Sequence, residues 1–278
     1  MDPLQPVGVH SLVHKVTRYN SMNTIDDVNR VLYLDEEICD TYQNLKDLFA
    51  VERVLIDHLS TIAIPGGKIL DIGVGAGRTT RYLLQVSTDY VGIDYSSQMV
   101  ALAKRNCPDV NILECDARDL SRFSDQEFGL VFVAFNGLDY VSHSDRLTAL
   151  CEIVRVLKPA GIFVFSSHNR DYEHYNKLRV KYREMNPQRL WRLLIAAKNR
   201  LGHWRQNVHK KSYAIITDPA HNYQLLTYYI SSGDQKEQLE AVGFSKDVTV
   251  FDLQGRIVTN AVPTAPECSW LYYLATKQ

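Results

Sequence analysis

The 278-residue sequence predicts an α/β fold: a doubly wound, mostly parallel seven-stranded sheet with an antiparallel edge, an N-terminal helical lid and a helical insertion after strand 5. Three observations lead to this prediction. Short apolar runs alternate with amphipathic stretches from residue 68 to residue 167. The first apolar run ends in a glycine-rich turn. Two further apolar runs follow the last helical pattern, which is typical of an antiparallel hairpin at the edge of a sheet.

The predicted elements follow one another closely. The fourth strand is apolar throughout, as expected of a parallel strand that is covered on both faces. Predicted strands of the core cover residues 68–73, 89–94, 110–117, 128–135 and 161–167. Predicted helices cover 78–85, 96–105 and 144–157, with Ser96 and Ser144 as expected N-caps. After the insertion we expect an extended segment at 223–231, a helix at 232–244 that ends at Gly243, and strands at 248–253 and 269–277.

These elements divide the chain into four segments. We expect an N-terminal helical lid at 1–60, a Rossmann-like core at 61–167, a basic helical insertion that caps the substrate at 168–222, and the C-terminal part of the core at 223–278. The insertion is electrostatically distinct. Twelve Lys and Arg against three acids between His168 and Lys211 give that stretch a net charge of +9, while the whole chain has −1. Such a contrast reflects a partner, a substrate or a surface.

Composition narrows the class of protein. Hydrophobic content of 45% and charged content of 23% are typical of a globular protein. No apolar run reaches the roughly 18–20 residues that span a bilayer, and residues 1–14 do not resemble a signal peptide. The five cysteines are scattered without a CxxC pair, which favours a reducing cytoplasm over disulfides or a zinc site. We therefore expect a cytoplasmic protein that requires no metal.

The segment after the first strand carries the strongest motif. Gly73, Gly75 and Gly77 form G-x-G-x-G, whereas dinucleotide-binding folds use G-x-G-x-x-G. Asp71 precedes these glycines; a carboxylate there would repel a pyrophosphate but suits the ammonium group of S-adenosylmethionine (SAM). Asp94 and Asp116 end the next two strands, where carboxylates can meet a ribose and an adenine amino group. This ordered set favours SAM as the cofactor.

Residues 68–161 resemble the core of the class I SAM-dependent methyltransferases of the small-molecule type, through LDIGVGAGRTT, VGIDYSSQMV, ECDARDL, FVAFNGLDYV and RVLKPAGIFVF. The resemblance implies that Asp71 and the three glycines surround the methionine part of SAM, with Arg78 on its carboxylate. It implies that Asp94 binds the ribose and that Asn136 lies near the methyl donor. It also implies that S-adenosylhomocysteine is the product. It implies that the adenine is bound by Tyr95, Met99, Asp116 and Ala117.

The acceptor is expected just after the fourth and fifth strands, because ligands of open α/β sheets bind outside the carboxyl ends of the strands. Candidate catalytic residues there are Asn136, Tyr140 and His168. Histidine titrates near neutrality, so His168 is the candidate base. The sequence thus favours methyl transfer to O or N of a small, anionic or sugar-like metabolite. It identifies neither the metabolite nor the oligomeric state.

Three alternatives remain open at this stage. An NAD-dependent oxidoreductase is disfavoured by the glycine spacing. An RNA-directed methyltransferase or a SAM-binding module would use the basic 168–211 segment, but the residues after the fourth strand, Phe135-Asn136-Gly137-Leu138, lack the motif of enzymes that methylate exocyclic base amines. The same segment could instead rest on an anionic membrane surface or be a solvated lid. We expect no nucleic-acid partner and no membrane contact.

Overall fold

A computed structural model describes Ile25, Asn29, residues 47–177, Ala197, Lys198, residues 206–217, Tyr223, residues 225–259 and residues 265–278. Most of the predicted lid at 1–60 and most of the predicted insertion at 168–222 therefore lie outside the described residues. Within the described part of the chain, no helix combines the length and apolar character needed to span a bilayer.

In the described part of the chain, ten strands form one sheet. They are β1 (Ile69–Ile72), β2 (Tyr90–Asp94), β3 (Ile112–Glu114), β4 (Phe128–Val133), β5 (Leu157–Asn169), β6 (Val208–His209), β7 (Tyr213–Thr217), β8 (Leu226–Ile230), β9 (Thr249–Phe251) and β10 (Trp270–Thr276). Five described helices accompany them: α1 (Ala50–Leu59), α2 (Thr80–Val86), α3 (Ser97–Asn106), α4 (His143–Val156) and α5 (Ser232–Val242).

The core of the sheet has the strand order β3-β2-β1-β4-β5-β10-β9, in which β10 is antiparallel to both of its neighbours. The first five strands are parallel. The predicted seven-stranded, mostly parallel sheet with an antiparallel edge is confirmed. Apolar side chains alternate between its two faces: Phe163 and Phe165 pack with α4 and α5, while Ile162 and Val164 pack with α1 and α2.

Serine side chains begin three of the helices by accepting a backbone N–H, as N-caps do. Ser96 caps α3 and Ser231 caps α5. The prediction for α4 was wrong by two residues, because Ser142 and not Ser144 accepts the N–H of Asp145, at 3.1 Å. Gly243 ends α5 in the left-handed conformation (φ 114°), which suits glycine.

Three strands extend the sheet beyond its core, and we call β6, β7 and β8 the β6–β8 arm. β4 ends opposite Phe165, and β8 then takes its place beside β5 at His168 and Asn169. β7 and β6 continue outward as antiparallel strands. The described residues 206–217 are thus largely strand, so the prediction of a helical insertion was wrong there; Ala197 and Lys198 are helical. The arm lies over the carboxyl end of β4, next to the predicted acceptor residues.

The N-terminal segment contacts this arm through two described helical residues. Ile25 packs on the apolar cluster of Ile215, Leu226, Tyr228 and Ile230. The buried Asn29 side chain donates to the carbonyl of Leu226 at 2.8 Å and accepts the N–H of Leu226 at 3.0 Å. It also donates to the carbonyl of Tyr140 at 2.7 Å. These contacts support the expectation that N-terminal residues close over the acceptor side.

Gly129 in β4 is required by close packing. A Cβ at this position would lie 2.1 Å from the carbonyl oxygen of Pro65, which is backbone and cannot move independently. We expect Gly129→Ala to lower the free energy of unfolding by about 1–3 kcal/mol through overpacking, measured by urea denaturation. As a control, Gly233→Ala in α5 meets only Ser231 Oγ at 4.0 Å and should cost nothing. Equal effects at both positions would contradict this reading of β4.

Candidate active site

The carboxyl ends of β1, β2, β3 and β4 surround one cavity with about 1230 Å³ of empty space, part of which is open to solvent. Its wall contains most of the residues that the sequence singled out: Gly73, Gly75, Arg78, Asp94, Tyr95, Met99, Asp116, Ala117 and Tyr140. Asp71, Gly77, Asn136 and His168 are not part of this wall. The cavity thus brings the predicted cofactor residues together with one of the three predicted acceptor residues.

The glycine turn presents bare backbone to the cavity. Gly73 and Gly75 have φ values of 71° and 55°, which L-residues rarely adopt. A Cβ at Gly73 would meet no atom within 4 Å, and one at Gly75 would meet only the carbonyl of Gly73 at 3.9 Å. Side chains there would project into empty space that a ligand could fill. Gly77 has a different role, because its Cβ would lie 3.2 Å from Cys107 Sγ on the α3 side.

Asp94 lies at the end of β2 with its carboxylate already oriented. Gly75 N–H donates to Oδ2 at 3.0 Å and Ser96 N–H donates to Oδ1 at 2.9 Å. The Tyr95 backbone N–H is a third donor to this carboxylate. A carboxylate accepts about four hydrogen bonds, so acceptor capacity remains for a ligand hydroxyl. Burial raises the pKa of Asp94 to about 6, although the backbone donors lower it. The carboxylate therefore joins the glycine turn to the start of α3 and still offers hydrogen-bond acceptors.

Asp71 is buried behind the glycine turn. Thr79 and Tyr90 donate hydroxyl protons to Oδ2 at 2.9 and 2.7 Å, whereas Oδ1 is buried without a hydrogen-bond partner. Burial raises the pKa of Asp71 to about 6, against the lowering effect of those hydroxyls. An unpaired carboxylate oxygen in such a place is costly unless a donor reaches it. The ammonium group of SAM has this chemistry, so the orphaned oxygen and the open glycine turn both fit that cofactor.

Arg78 lies on the cavity wall but is already paired. Its two terminal nitrogens bind Glu52 of α1, with Nη2 at 2.7 Å from Oε1, and both side chains are nearly inaccessible. Glu52 also accepts from the Tyr272 hydroxyl at 2.6 Å and from the Phe49 N–H at 2.9 Å. The guanidinium packs on the rings of Phe49 and Phe135. The predicted contact of Arg78 with the SAM carboxylate thus competes with a buried ion pair, and it stays a prediction.

Asp116 also has a partner that the sequence did not indicate. Its carboxylate binds Arg118 through Oδ1 at 2.9 Å and Oδ2 at 2.6 Å, and both residues line the cavity. The predicted adenine contact of Asp116 and Ala117 therefore remains a prediction. Cys115, also on the wall, was not singled out by the sequence reasoning.

Two of the predicted acceptor residues, Asn136 and His168, lie behind the cavity wall, next to Tyr140 on the wall. His168 Nε2 lies 3.4 Å from Asn136 Nδ2, and its Nδ1 lies 2.7 Å from Asp139 Oδ2. The Tyr140 ring meets the His168 ring edge to face, with centroids 6.2 Å apart. Phe135 and Asn136 both have positive φ, 52° and 60°, directly after β4. Non-glycine residues in this conformation are concentrated at functional sites, and the structure brings all three predicted acceptor residues together here.

Arg146 completes this cluster and was missed by the sequence reasoning. It is fully buried in α4 and binds Asp139 Oδ1 at 2.5 Å. Together, Arg146, Asp139, His168 and Asn136 form a continuous polar chain that leads from the core to the cavity.

Comparisons with known proteins find related sequences and structures. Residues 69–161, about a third of the chain, match the family model described as a methyltransferase domain. A demethylmenaquinone methyltransferase of Renibacterium salmoninarum is 32% identical over 53% of this chain and 57% of its own length. A ubiquinone biosynthesis O-methyltransferase of Methylococcus capsulatus is 28% identical over 47% of this chain and 56% of its own length. The chain thus spans little more than half the length of these relatives.

Solved structures share the fold. A SAM-dependent methyltransferase from Clostridium acetobutylicum superposes with a TM-score of 0.56 at 12% identity, covering 82% of this chain and 91% of that one. A possible histamine N-methyltransferase from Thermotoga maritima covers 96% of this chain and 97% of its own, with a TM-score of 0.51 at 17% identity. The resemblance to class I SAM-dependent methyltransferases is confirmed, and these matches support SAM as the cofactor.

The Glu52–Arg78 pair should stabilise the junction of α1 with the glycine turn. Glu52→Gln would leave the Arg78 charge buried without a counterion, so we expect the free energy of unfolding to fall by about 3–5 kcal/mol. Tyr272→Phe removes one hydrogen bond from the same carboxylate and should cost only about 1–2 kcal/mol. Urea denaturation measures both changes. A loss below 1 kcal/mol for Glu52→Gln would show that solvent reaches the pair.

Proposed function

We propose, on the premise that residues 69–161 form a methyltransferase domain of the class I fold, that this protein transfers a methyl group from SAM to O or N of a small-molecule acceptor. The observation that carries the proposal is the cavity in which the glycine turn, Asp94 and Asp116 converge. Bound SAM would supply an electrophilic methyl carbon. The names of the quinone-pathway relatives support a small-molecule acceptor for them and, by extension, for this chain.

The residues of the cavity divide into two groups. Asp71, Asp94 and the glycine turn would hold the methionine and ribose parts of SAM, while Tyr95, Met99, Asp116 and Ala117 would hold its adenine. Asn136, Tyr140 and His168 would orient the acceptor, with His168 taking up its proton. Methyl transfer is an in-line displacement, so the protein contributes mainly orientation and proton removal.

RNA-directed methylation and a binding-only module remain the second candidates, through the basic segment between residues 168 and 211. Most of that segment lies outside the described residues, and nothing in the described part of the cavity favours a polynucleotide. A salt-dependent shift of generic RNA on adding the protein would support those candidates.

One residue from each group is substituted to test this assignment: Asp94 from the SAM-binding group and His168 from the acceptor group. Asp94→Asn and Asp94→Ala should weaken SAM binding by about tenfold or more, because hydrogen bonds to a charged group contribute about 1.5–3 kcal/mol. His168→Ala should change the SAM Kd by no more than about threefold, because its contacts lie behind the wall. Isothermal titration calorimetry with SAM and S-adenosylhomocysteine measures both. Absence of binding to wild-type protein at millimolar ligand would refute the proposal, and equal effects of the variants would show that the two groups are misplaced.

SAM binding should depend on pH because of Asp71 and Asp94. The pKa of each carboxyl is about 6 in the folded chain, so both become protonated as pH falls through 6. Each group then loses the negative charge with which it would bind SAM. We expect the SAM Kd to rise between pH 7 and pH 5, by at most about tenfold per pH unit for each carboxyl below its pKa. Asp71→Asn should remove part of this dependence. A Kd that stays constant from pH 7 to pH 5 would contradict the assigned role of both acids.

A further inference from the structure

Arg146 determines which group donates and which accepts in the buried series of hydrogen bonds from Arg146 through Asp139 and His168 to Asn136. Arginine carries only donors and stays charged. All five N–H groups of Arg146 are used, on Leu138 O (2.9 Å), Asp139 Oδ1 (2.5 Å), Ser167 Oγ (3.2 Å), Gln235 Oε1 (2.8 Å) and Gln238 Oε1 (3.2 Å). The guanidinium is thereby held in one orientation, and Asp139 is held as its ionised partner.

Asp139 in turn determines which ring nitrogen of His168 carries the proton. Its Oδ1 accepts from Arg146 and from the Ser167 hydroxyl at 2.9 Å. Its Oδ2 accepts from the His168 N–H and faces His168 Nδ1, both at 2.7 Å. An ionised carboxylate has no proton to donate, so Nδ1 must carry the proton. In the neutral imidazole the lone pair is then at Nε2, as in the Ser-His-Asp arrangement, where an acid holds the base in the correct tautomer.

The lone pair of His168 is only weakly engaged. Asn136 Nδ2 is the donor that faces it, at 3.4 Å, beyond the usual range for a strong N–H donor. Asn136 Oδ1 is buried without any partner, and the backbone of Asn136 is held at a φ of 60°. Phe135 and Gly137, on either side, line the cavity. Asn136 lies between these two wall residues in the chain and just behind the wall, so its carboxamide is the group that a ligand must displace to reach His168.

We propose that the acceptor group is a hydroxyl, which inserts between Asn136 Nδ2 and His168 Nε2. This inference rests on the proposed methyl transfer and deepens it from O or N to O. A hydroxyl donates its proton to Nε2 and accepts from Nδ2 at the same time, so it satisfies both groups in the orientation that Arg146 dictates. A carboxylate or phosphate oxygen brings no proton for Nε2. An alkyl amine is protonated near neutral pH, and in that form it has no lone pair to accept from Nδ2.

The surrounding charges also favour a neutral hydroxyl over a cationic amine. Asp139 has all four of its acceptor positions filled. Glu52, which contacts this region through Tyr272, accepts four hydrogen bonds as well. Each carboxylate is also paired with an arginine. Neither can therefore serve as the counterion of an amine that binds in its protonated form.

The acceptor hydroxyl, SAM and His168 together account for every bond, proton and electron pair of the transfer step. The hydroxyl oxygen forms its bond to the methyl carbon of SAM while its proton moves to His168 Nε2. The electron pair of the breaking carbon–sulfur bond stays on sulfur, which becomes the neutral thioether of S-adenosylhomocysteine. Asn136 Nδ2 stabilises the negative charge that develops on the oxygen, and Asp139 stabilises the imidazolium. The products are a methyl ether and a protonated His168.

The chemistry of the product tests the acceptor class. Purified protein is incubated with SAM carrying a ¹³C-labelled methyl group and the small-molecule extract of the cells from which the gene derives, and the labelled products are read by ¹H–¹³C correlation NMR. We expect a methyl ether. An N-methyl amine, a methyl ester or a C-methyl product would overturn the inference but leave methyl transfer established. Absence of any labelled product despite SAM binding would refute the proposed function itself.

A second measurement needs no acceptor. Long-range ¹H–¹⁵N NMR of the imidazole rings, with His168 assigned by comparison with His168→Gln, should show that the neutral form of the His168 ring carries its proton at Nδ1. A proton on Nε2 in the wild-type protein would overturn the inference whatever the product experiment gives.

The same imidazole NMR signals of His168 test the role of Asp139 as a positioning residue. Asp139→Asn should move the His168 proton towards Nε2 and lower kcat for ether formation by about 100-fold or more, with the SAM Kd changed less than threefold. Asp252→Asn is the control, because Asp252 is also a buried aspartate, 4% exposed against 0% for Asp139, and it is paired with Arg256 at 2.6 Å. It should leave the His168 spectrum and kcat unchanged. A loss of kcat in Asp139→Asn without a change of tautomer would show that Asp139 is merely structural.

Discussion

The ion pair between Asp139 and Arg146 is the interaction on which the acceptor half of the molecule depends. It joins the loop after β4 to α4, to β5 through Ser167 and His168, and to α5 through Gln235. It also anchors the β6–β8 arm, because the Tyr228 N–H donates to the Asp139 carbonyl and the Tyr228 ring lies under the guanidinium. Two buried charges are tolerated here because hydrogen bonds satisfy every donor and acceptor position of their side chains.

The parts of the site that were predicted from sequence are those set by backbone geometry. A turn that must leave space for a ligand requires glycine, and parallel strands bring their carboxyl ends to one edge. Gly73, Gly75, Asp94 and Asp116 therefore lie together as expected. β8 lies within the extended segment expected at 223–231, but β6 and β7 were not predicted, because they are short and lie in a basic, aromatic stretch whose spacing resembles a helix. Strand pairing depends on partners distant in sequence, which local patterns do not reveal.

Two charged residues of the site were missed although the sequence contained a signal for them. Arg146 shares the buried face of α4 with Ala149, Leu150 and Ile153, and Glu52 occupies the same kind of position in α1. Both follow the i, i+3, i+4, i+7 spacing of apolar core residues. A charged residue in register with an apolar face requires a buried partner. The pattern identifies such a residue, but the partners, Asp139 and Arg78, are known only from the fold.

The contacts of Asn29 have a consequence for the order in which the molecule assembles. Its side chain pairs with the backbone of Leu226, 197 residues further along the chain, and with Tyr140 between them. Closing so long a loop is entropically costly and gains nothing until β8 is already in place. The N-terminal segment can therefore dock only late in folding, after the parallel core and the arm have formed. On a ribosome, Asn29 would wait until Leu226 had emerged, and the acceptor side would be completed only after β8 had been synthesised.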